Sequence, residues 1–182
     1  MQDGTFVNMS TGALSGDNMR QSATTIADMQ GFYENEEARQ AMPQDTVLYR
    51  VQMHAQEAED TVGGLFFGTS FLQPGLLGGE YFMTKGHYHS KRGTAEYYWC
   101  IGGEGLLLMD ESGKTTWRTL AAGAVCYIPP HMAHRLVNTG TGVLTVGACW
   151  PSDAGHDYAA IQQSGFGVRV KQVDGKPTVL EA

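Results

Sequence analysis

From Thr46 onward the chain is written in short β-type runs, each closed by a turn signal, with no stretch of convincing helical spacing. Thr46–His54, Leu65–Gln73, Glu80–His89 and Ala95–Ile101 mix β-branched or aromatic residues with partial alternation, the mark of strands. Pro74-Gly75 closes the second of these and Gly102-Gly103 the fourth. Gly105–Asp110 and Thr115–Leu120 flank Glu111-Ser112-Gly113 as a hairpin, and Ala124–Ile128 runs into Pro129-Pro130. His134–Asn138 and Val143–Trp150 flank the glycine-rich loop Thr139–Gly142, and a last hairpin is expected around Val173-Asp174-Gly175-Lys176. Many short strands without intervening helices demand a sandwich or barrel. The 24 glycines in 182 residues, about twice the ~7% average share, suit a chain of tight turns.

Residues 1–45 read differently, as an N-terminal arm ahead of a barrel over 46–182, the whole being one domain. The first twenty residues are polar and rich in Gly, Ser and Thr, so an extended segment is expected. Ser22–Gln30 reads as a short helix, with Ser22 as cap and Ile26, Met29 and Tyr33 at helical spacing. Glu34–Ala41 reads as a second, stopped by Pro43, which also pushes Met42 out of helical geometry.

Charge and composition narrow the function. A net charge of −7 argues against general affinity for nucleic acid or anionic membrane, and 42% hydrophobic residues exclude a disordered chain. No apolar run reaches the ~20 residues of a membrane helix. The N-terminus lacks the basic start and apolar stretch of a secretory signal. Cys100, Cys126 and Cys149 stand far apart with no C-x-x-C spacing, as buried reduced thiols of a cytoplasmic protein do.

The chemistry concentrates in Gly86-His87-Tyr88-His89, with Glu96 following after six intervening residues and His134 beyond Pro129-Pro130. In a strand His87 and His89 share a face, a hairpin would set Glu96 opposite them, and His134 could close the set from across a barrel. Three imidazoles and a carboxylate suit a divalent first-row metal. Two half-exposed histidines and a surface glutamate are the plain alternative. Yet Glu96 sits among Ala95, Tyr97, Tyr98 and Trp99, where a carboxylate needs a partner.

H-x-H-x6-E, the glycine-rich hairpins and the later P-P-x-x-x-H resemble the two signature motifs of the cupins, all-β double-sheet (jelly-roll) barrels. The strings Met83-Thr84-Lys85-Gly86-His87-Tyr88-His89 and Asp153-Ala154-Gly155-His156-Asp157-Tyr158 are more specific. With Tyr127-Ile128-Pro129-Pro130 and Ala133-His134-Arg135 they resemble the cupin-type phosphoglucose isomerases, from about residue 20 to about residue 170. The resemblance implies that His87, His89, Glu96 and His134 hold one divalent transition metal per subunit, Fe2+ first, with Mn2+, Ni2+, Co2+ and Zn2+ open. It also implies that Ser70, Thr84 and Gly86 meet a substrate phosphate and that Tyr49, Tyr98, His156 and Tyr158 line the sugar. A homodimer is implied too.

The reaction implied is reversible isomerisation of glucose 6-phosphate and fructose 6-phosphate. Glu96 is then the base and His156, with Tyr158, positions a hydroxyl or assists ring opening; a cis-enediol route is taken, with a hydride shift left open. A metal-dependent cupin dioxygenase and a non-catalytic sugar-phosphate-binding cupin are the alternatives, since fold does not determine reaction. Each assigned residue also has an ordinary reading. Tyr49 and Tyr98 would serve as core aromatics and His156 as a loop brace. Lys85 and Arg135 are read equally as a source of positive charge or as solvated surface groups. Strand parity turns Thr84 away from the histidine ligands.

Overall fold

The computed structural model describes residues 4–182; Met1 to Asp3, part of the expected extended arm, lie outside the described residues. In chain order the strands begin with β1 (Phe6–Val7), β2 (Leu14–Ser15), β3 (Met19–Thr25), β4 (Val47–His54) and β5 (Leu65–Leu72). They continue with β6 (Leu76–Leu77), β7 (Glu80–Tyr81), β8 (Glu96–Gly102), β9 (Gly105–Glu111) and β10 (Lys114–Leu120). The last are β11 (Val125–Ile128), β12 (Ala133–Asn138), β13 (Leu144–Pro151), β14 (Val168–Val173) and β15 (Lys176–Glu181). Two short helices, α1 (Glu36–Ala41) and α2 (Tyr158–Ser164), accompany them.

Strand order gives the architecture of a cupin barrel. One antiparallel sheet runs β11-β8-β13-β5-β4-β3. The opposing layer is β10-β9-β12, extended past β12 by bridges from Met83 to Val137 and from His87 to His134. A further four-stranded sheet runs β15-β14-β7-β6. Leu72 and Leu144 of the first sheet and Leu107 and Leu136 of the second belong to one buried cluster, the apolar filling whose burial drives closure. Asn138 ties the layers, donating from Nδ2 to Leu72 O at 2.8 Å and to Gly142 O at 2.9 Å.

Two expectations need correction. Ser22–Gln30 is not a helix: Met19–Thr25 pairs along β4 as an edge strand, and only Ala27–Met29 makes a single tight helical turn. Its mostly exposed, polar side chains carry no alternation to read, as befits an edge strand. Ile26 and Met29 are fully buried because the turn after the strand plugs the barrel, so their spacing records an anchor. The second helix does form, Asn35 accepting the Ala38 N–H at 2.8 Å as its cap. The expected strand Glu80–His89 is regular only at Glu80–Tyr81; beyond it the backbone is extended but kinked. The Cβ space at Gly147 is filled by the Trp99 ring, 2.2 Å from where a methyl carbon would stand.

Candidate metal centre and its cavity

His87, His89, Glu96 and His134 converge, each offering one ligand atom, and these atoms lie within 4.8 Å of one another. The elements that bring them together are neighbours. His87 and His134 bridge antiparallel strands, with ring centroids 4.3 Å apart. Glu96 opens β8 in the facing sheet. The connection from His89 to Glu96 is a tight loop rather than the expected hairpin, since β8 pairs with β11 and β13.

Hydrogen bonds behind the rings settle which nitrogens face inward. Thr94 Oγ1 donates to Lys91 O at 2.7 Å, so it can only accept from His89 Nδ1, 2.8 Å away. Nδ1 therefore carries the proton, and His89 Nε2 points a lone pair at Glu96 Oε2, 3.1 Å away. His134 Nδ1 faces the Met132 carbonyl at 3.4 Å, which leaves its Nε2 equally bare, 3.1 Å from the same Glu96 oxygen. Neither His134 Nε2 nor the buried His87 Nε2 has a hydrogen-bond partner. Acceptors converging on acceptors with no donor between them need a cation. Donors on one ion at ~2.0–2.2 Å stand at most about 4.4 Å apart, so a slight contraction of the cluster would seat it. The residues fit a divalent transition metal.

Electrostatics agree. Burial, with His134, His156 and His89 adding to it, holds His87 well below the usual imidazole range, so it is neutral and able to ligate. Burial pushes the Glu96 carboxyl up; protons shared from His134 and His89 outweigh that where no ion is bound, and a bound cation would take over that role, so the carboxyl is ionised either way. Burial keeps the nearby tyrosines protonated: Tyr98 is raised far above its ordinary value and Tyr158 is pushed up to about 12. His156 is lowered, chiefly by burial, against the pull of Glu96. At neutral pH the proton acceptors here are thus Glu96 and His156.

The centre floors a cavity of about 380 Å³, within the ~300–1,000 Å³ of small-molecule sites. Tyr49, Ser70, Thr84, Gly86, Tyr98, His156 and Tyr158 all line it, together with His87, Glu96 and His134. Thr84 corrects the parity argument. Met83 faces Val137 and His87 faces His134, so four steps on one strand match three on the other. That is a one-residue β-bulge, and Gly86 within it has φ +71°. The extra residue flips the alternation and turns Thr84 onto the wall shared with His87. Thr84 Oγ1 accepts the Leu136 N–H at 3.1 Å, leaving its own O–H free to donate.

The loop Ser90–Thr94 is pinned to the segment after Trp150. Lys91 pairs with Asp153 at 2.5 Å and Arg92 with Asp157 at 2.9 Å. Asp157 also caps α2 through the Ala160 N–H at 3.1 Å. Between these ties His156 stands 4.4 Å from the His87 ring. Arg135 is buried rather than solvated, while the Lys85 ammonium lies 5.8 Å over the Tyr158 ring. The sequence reading missed the outer wall, where Arg20, Gln21 and Ser22 of β3 line the mouth and Arg20 pairs with Glu59 at 3.0 Å. It also missed Thr94 and α2; an Asp before Tyr158-Ala159-Ala160-Ile161 was the available signal for the helix.

A family model described as glucose-6-phosphate isomerase matches residues 23–180. The glucose-6-phosphate isomerase of Thermococcus kodakarensis is 38% identical over 180 residues, covering 98% of this chain and 93% of the relative. That of Thermococcus litoralis is 40% identical over 181 residues, with 98% and 93% covered. Among solved structures, oxalate oxidase in complex with the substrate analogue glycolate matches with a TM-score of 0.47 at 14% identity, covering 88% of this chain and 61% of the other.

Proposed function

The chain belongs to the glucose-6-phosphate isomerase family, and we propose that it interconverts glucose 6-phosphate and fructose 6-phosphate at the cavity lined by His87, Glu96 and His134, with His89 completing their donor set. The observation that carries this siting is the converging donor set, whose bare nitrogens and ionised carboxylate open into a hydroxyl-lined cavity. His87, His89, Glu96 and His134 would hold one divalent transition metal, Fe2+ first and Mn2+, Ni2+, Co2+ or Zn2+ as alternatives suited to mixed N/O ligation. Such an ion supplies Lewis-acid polarisation of the sugar oxygens at C1 and C2.

The chain's own residues do the rest. Thr84 O–H, Gly86 N–H and Ser70 O–H hold the phosphate, while Tyr49 and Tyr98 align the sugar. Glu96 takes the proton from C2 of open-chain glucose 6-phosphate, leaving a cis-enediolate; the O2 hydroxyl proton passes to O1 through the cis-enediol, and Glu96 returns its proton to C1 to give fructose 6-phosphate. His156, neutral and braced in parallel against Tyr158, exchanges a proton with the ring oxygen during opening. One observation favours direct hydride transfer between C2 and C1 instead: Glu96 Oε2 is hemmed by two imidazole nitrogens at 3.1 Å, where a base needs a free lone pair. Isomerisation in deuterated water decides between them. Solvent deuterium in the product supports the enediol route, and full retention of substrate hydrogen overturns it. A coupled assay on chelator-treated protein, with single metals restored, tests the metal and identifies it.

The assembly we propose is a cytoplasmic homodimer. Tyr97, Tyr127 and Val125 stand together on the outer face of the six-stranded sheet, 54%, 49% and 68% exposed, an apolar surface of the kind a second copy covers.

A further inference from the structure

We infer that Arg135 is a positioning residue: from behind the cavity it holds the bulge at Lys85–Gly86 in place, and through it the Thr84 hydroxyl and the Gly86 amide. The inference rests on the reading of that wall as the phosphate subsite. Alternation along β12 sends His134 and Leu136 into the cavity and Arg135 to the opposite side. There Arg135 is 5% exposed, and among the described residues no carboxylate pairs with it. Its Nη2 and Nε both donate to the Lys85 carbonyl, at 2.6 and 3.2 Å, and its guanidinium lies 4.5 Å over the Phe166 ring.

Burying an unpaired guanidinium is expensive, and surface solubility or an ion pair does not account for it. What it does is satisfy the Lys85 carbonyl, which has no backbone partner across the bulge among the described residues. A bulge leaves its extra residue without a cross-strand partner, so an unheld peptide there would flip or slip. Slippage by one residue would return Thr84 to the far face, away from the ligands. Gly86 is part of the same device. A methyl carbon on it would stand 2.9 Å from Phe166 Cε2 and 3.1 Å from Arg135 Cβ, so the clasp closes only over glycine. Lysine could not substitute for the arginine, because one ammonium cannot both stack flat on the ring and send two converging N–H groups to one oxygen.

The test compares wild type with Arg135→Lys, which keeps the charge, and Arg135→Met, which keeps bulk alone, all as metal-loaded full-length protein. The binding probes are glucitol 6-phosphate and glucitol, which cannot isomerise. Both variants should bind glucitol 6-phosphate about tenfold or more weakly, the usual worth of charge-assisted hydrogen bonds. KM for fructose 6-phosphate should rise by the same factor while kcat and metal stoichiometry stay near wild type. Wild-type affinity in Arg135→Lys with loss in Arg135→Met would show that bare charge suffices and overturn the inference. So would a fall confined to kcat, or a loss of metal, which mark general structural damage. Should Arg135→Met fail to fold, Phe166→Leu removes the ring and leaves the arginine. A smaller rise in KM at constant kcat is expected there, and no change overturns the inference. A wild type that binds both probes equally removes the phosphate reading itself, a result distinguishable from all of these.

Discussion

Thr94→Val isolates what stands behind the metal centre. Valine matches threonine in shape but cannot accept the His89 Nδ1–H, so the 2.8 Å bond that fixes the tautomer is lost. The Thr94 carbonyl, 3.2 Å from the same nitrogen, remains as a weaker acceptor. A neutral hydrogen bond contributes about 0.5–1.5 kcal/mol net, which is roughly 2- to 12-fold in an equilibrium constant. Removing a group that orients a metal ligand typically lowers affinity by ~10- to 100-fold. With the carbonyl in reserve the lower end applies, and Zn2+ or Co2+ affinity should fall about 3- to 10-fold. The assay is competition against a chromophoric chelator at fixed pH, with thermal unfolding of the apoprotein in parallel, because Thr94 Oγ1 also holds the loop through Lys91 O at 2.7 Å. His89→Ala sets the scale for complete loss of the ligand. An unchanged affinity would refute the tautomer argument, and a loss as large as that of His89→Ala would show that Thr94 holds the whole site together rather than one ring.

Other expectations are sharper still. Glu96→Gln, assayed with metal content measured on the same sample, should lower isomerase turnover by ~100-fold or more if Glu96 moves the proton; near-normal turnover in a metal-loaded variant removes it as the base. Gly147→Ala drives a methyl carbon into the Trp99 ring, so it should cost about 1–3 kcal/mol, read as a lower denaturant midpoint at unchanged slope. Tyr97→Asp with Tyr127→Asp should convert the proposed dimer to a monomer by light scattering while leaving metal affinity at its wild-type value, and a wild type that is monomeric at every concentration would falsify the dimer outright.

Most of the barrel was legible because its strands bury one face and end in glycine or proline, so alternation and punctuation coincide. The convergence of His87, His89, Glu96 and His134 was legible for the same reason: His87 and His89 share a face in any extended geometry, and Glu96 could not lie unpartnered among tyrosines. What escaped is what tertiary packing decides. β3 is polar on both faces, and it is a strand only because β4 offers it an edge. The bulge before His87 leaves no trace in hydrophobic pattern, since one inserted residue reverses every later parity and only Gly86 hints at it. Parity reasoning therefore succeeded for His89, two residues from His87 on unbroken geometry, and failed for Thr84, on the far side of the kink. Arg135 was illegible in principle, because nothing local distinguishes a buried guanidinium from a solvated one.

The four donors come from opposite layers of the barrel, His134 from the three-stranded sheet and Glu96 from the six-stranded one, with His87 and His89 on the segment that extends the former. An ion seated among them would be a rivet between two sheets, and ligation would thereby be linked to unfolding. Free metal at a hundred times its dissociation constant would add about 2.7 kcal/mol to the folded state, and a chelator would withdraw it. Heat resistance would then depend on metal supply as well as on the apolar core, and the melting temperature would serve as a gauge of occupancy.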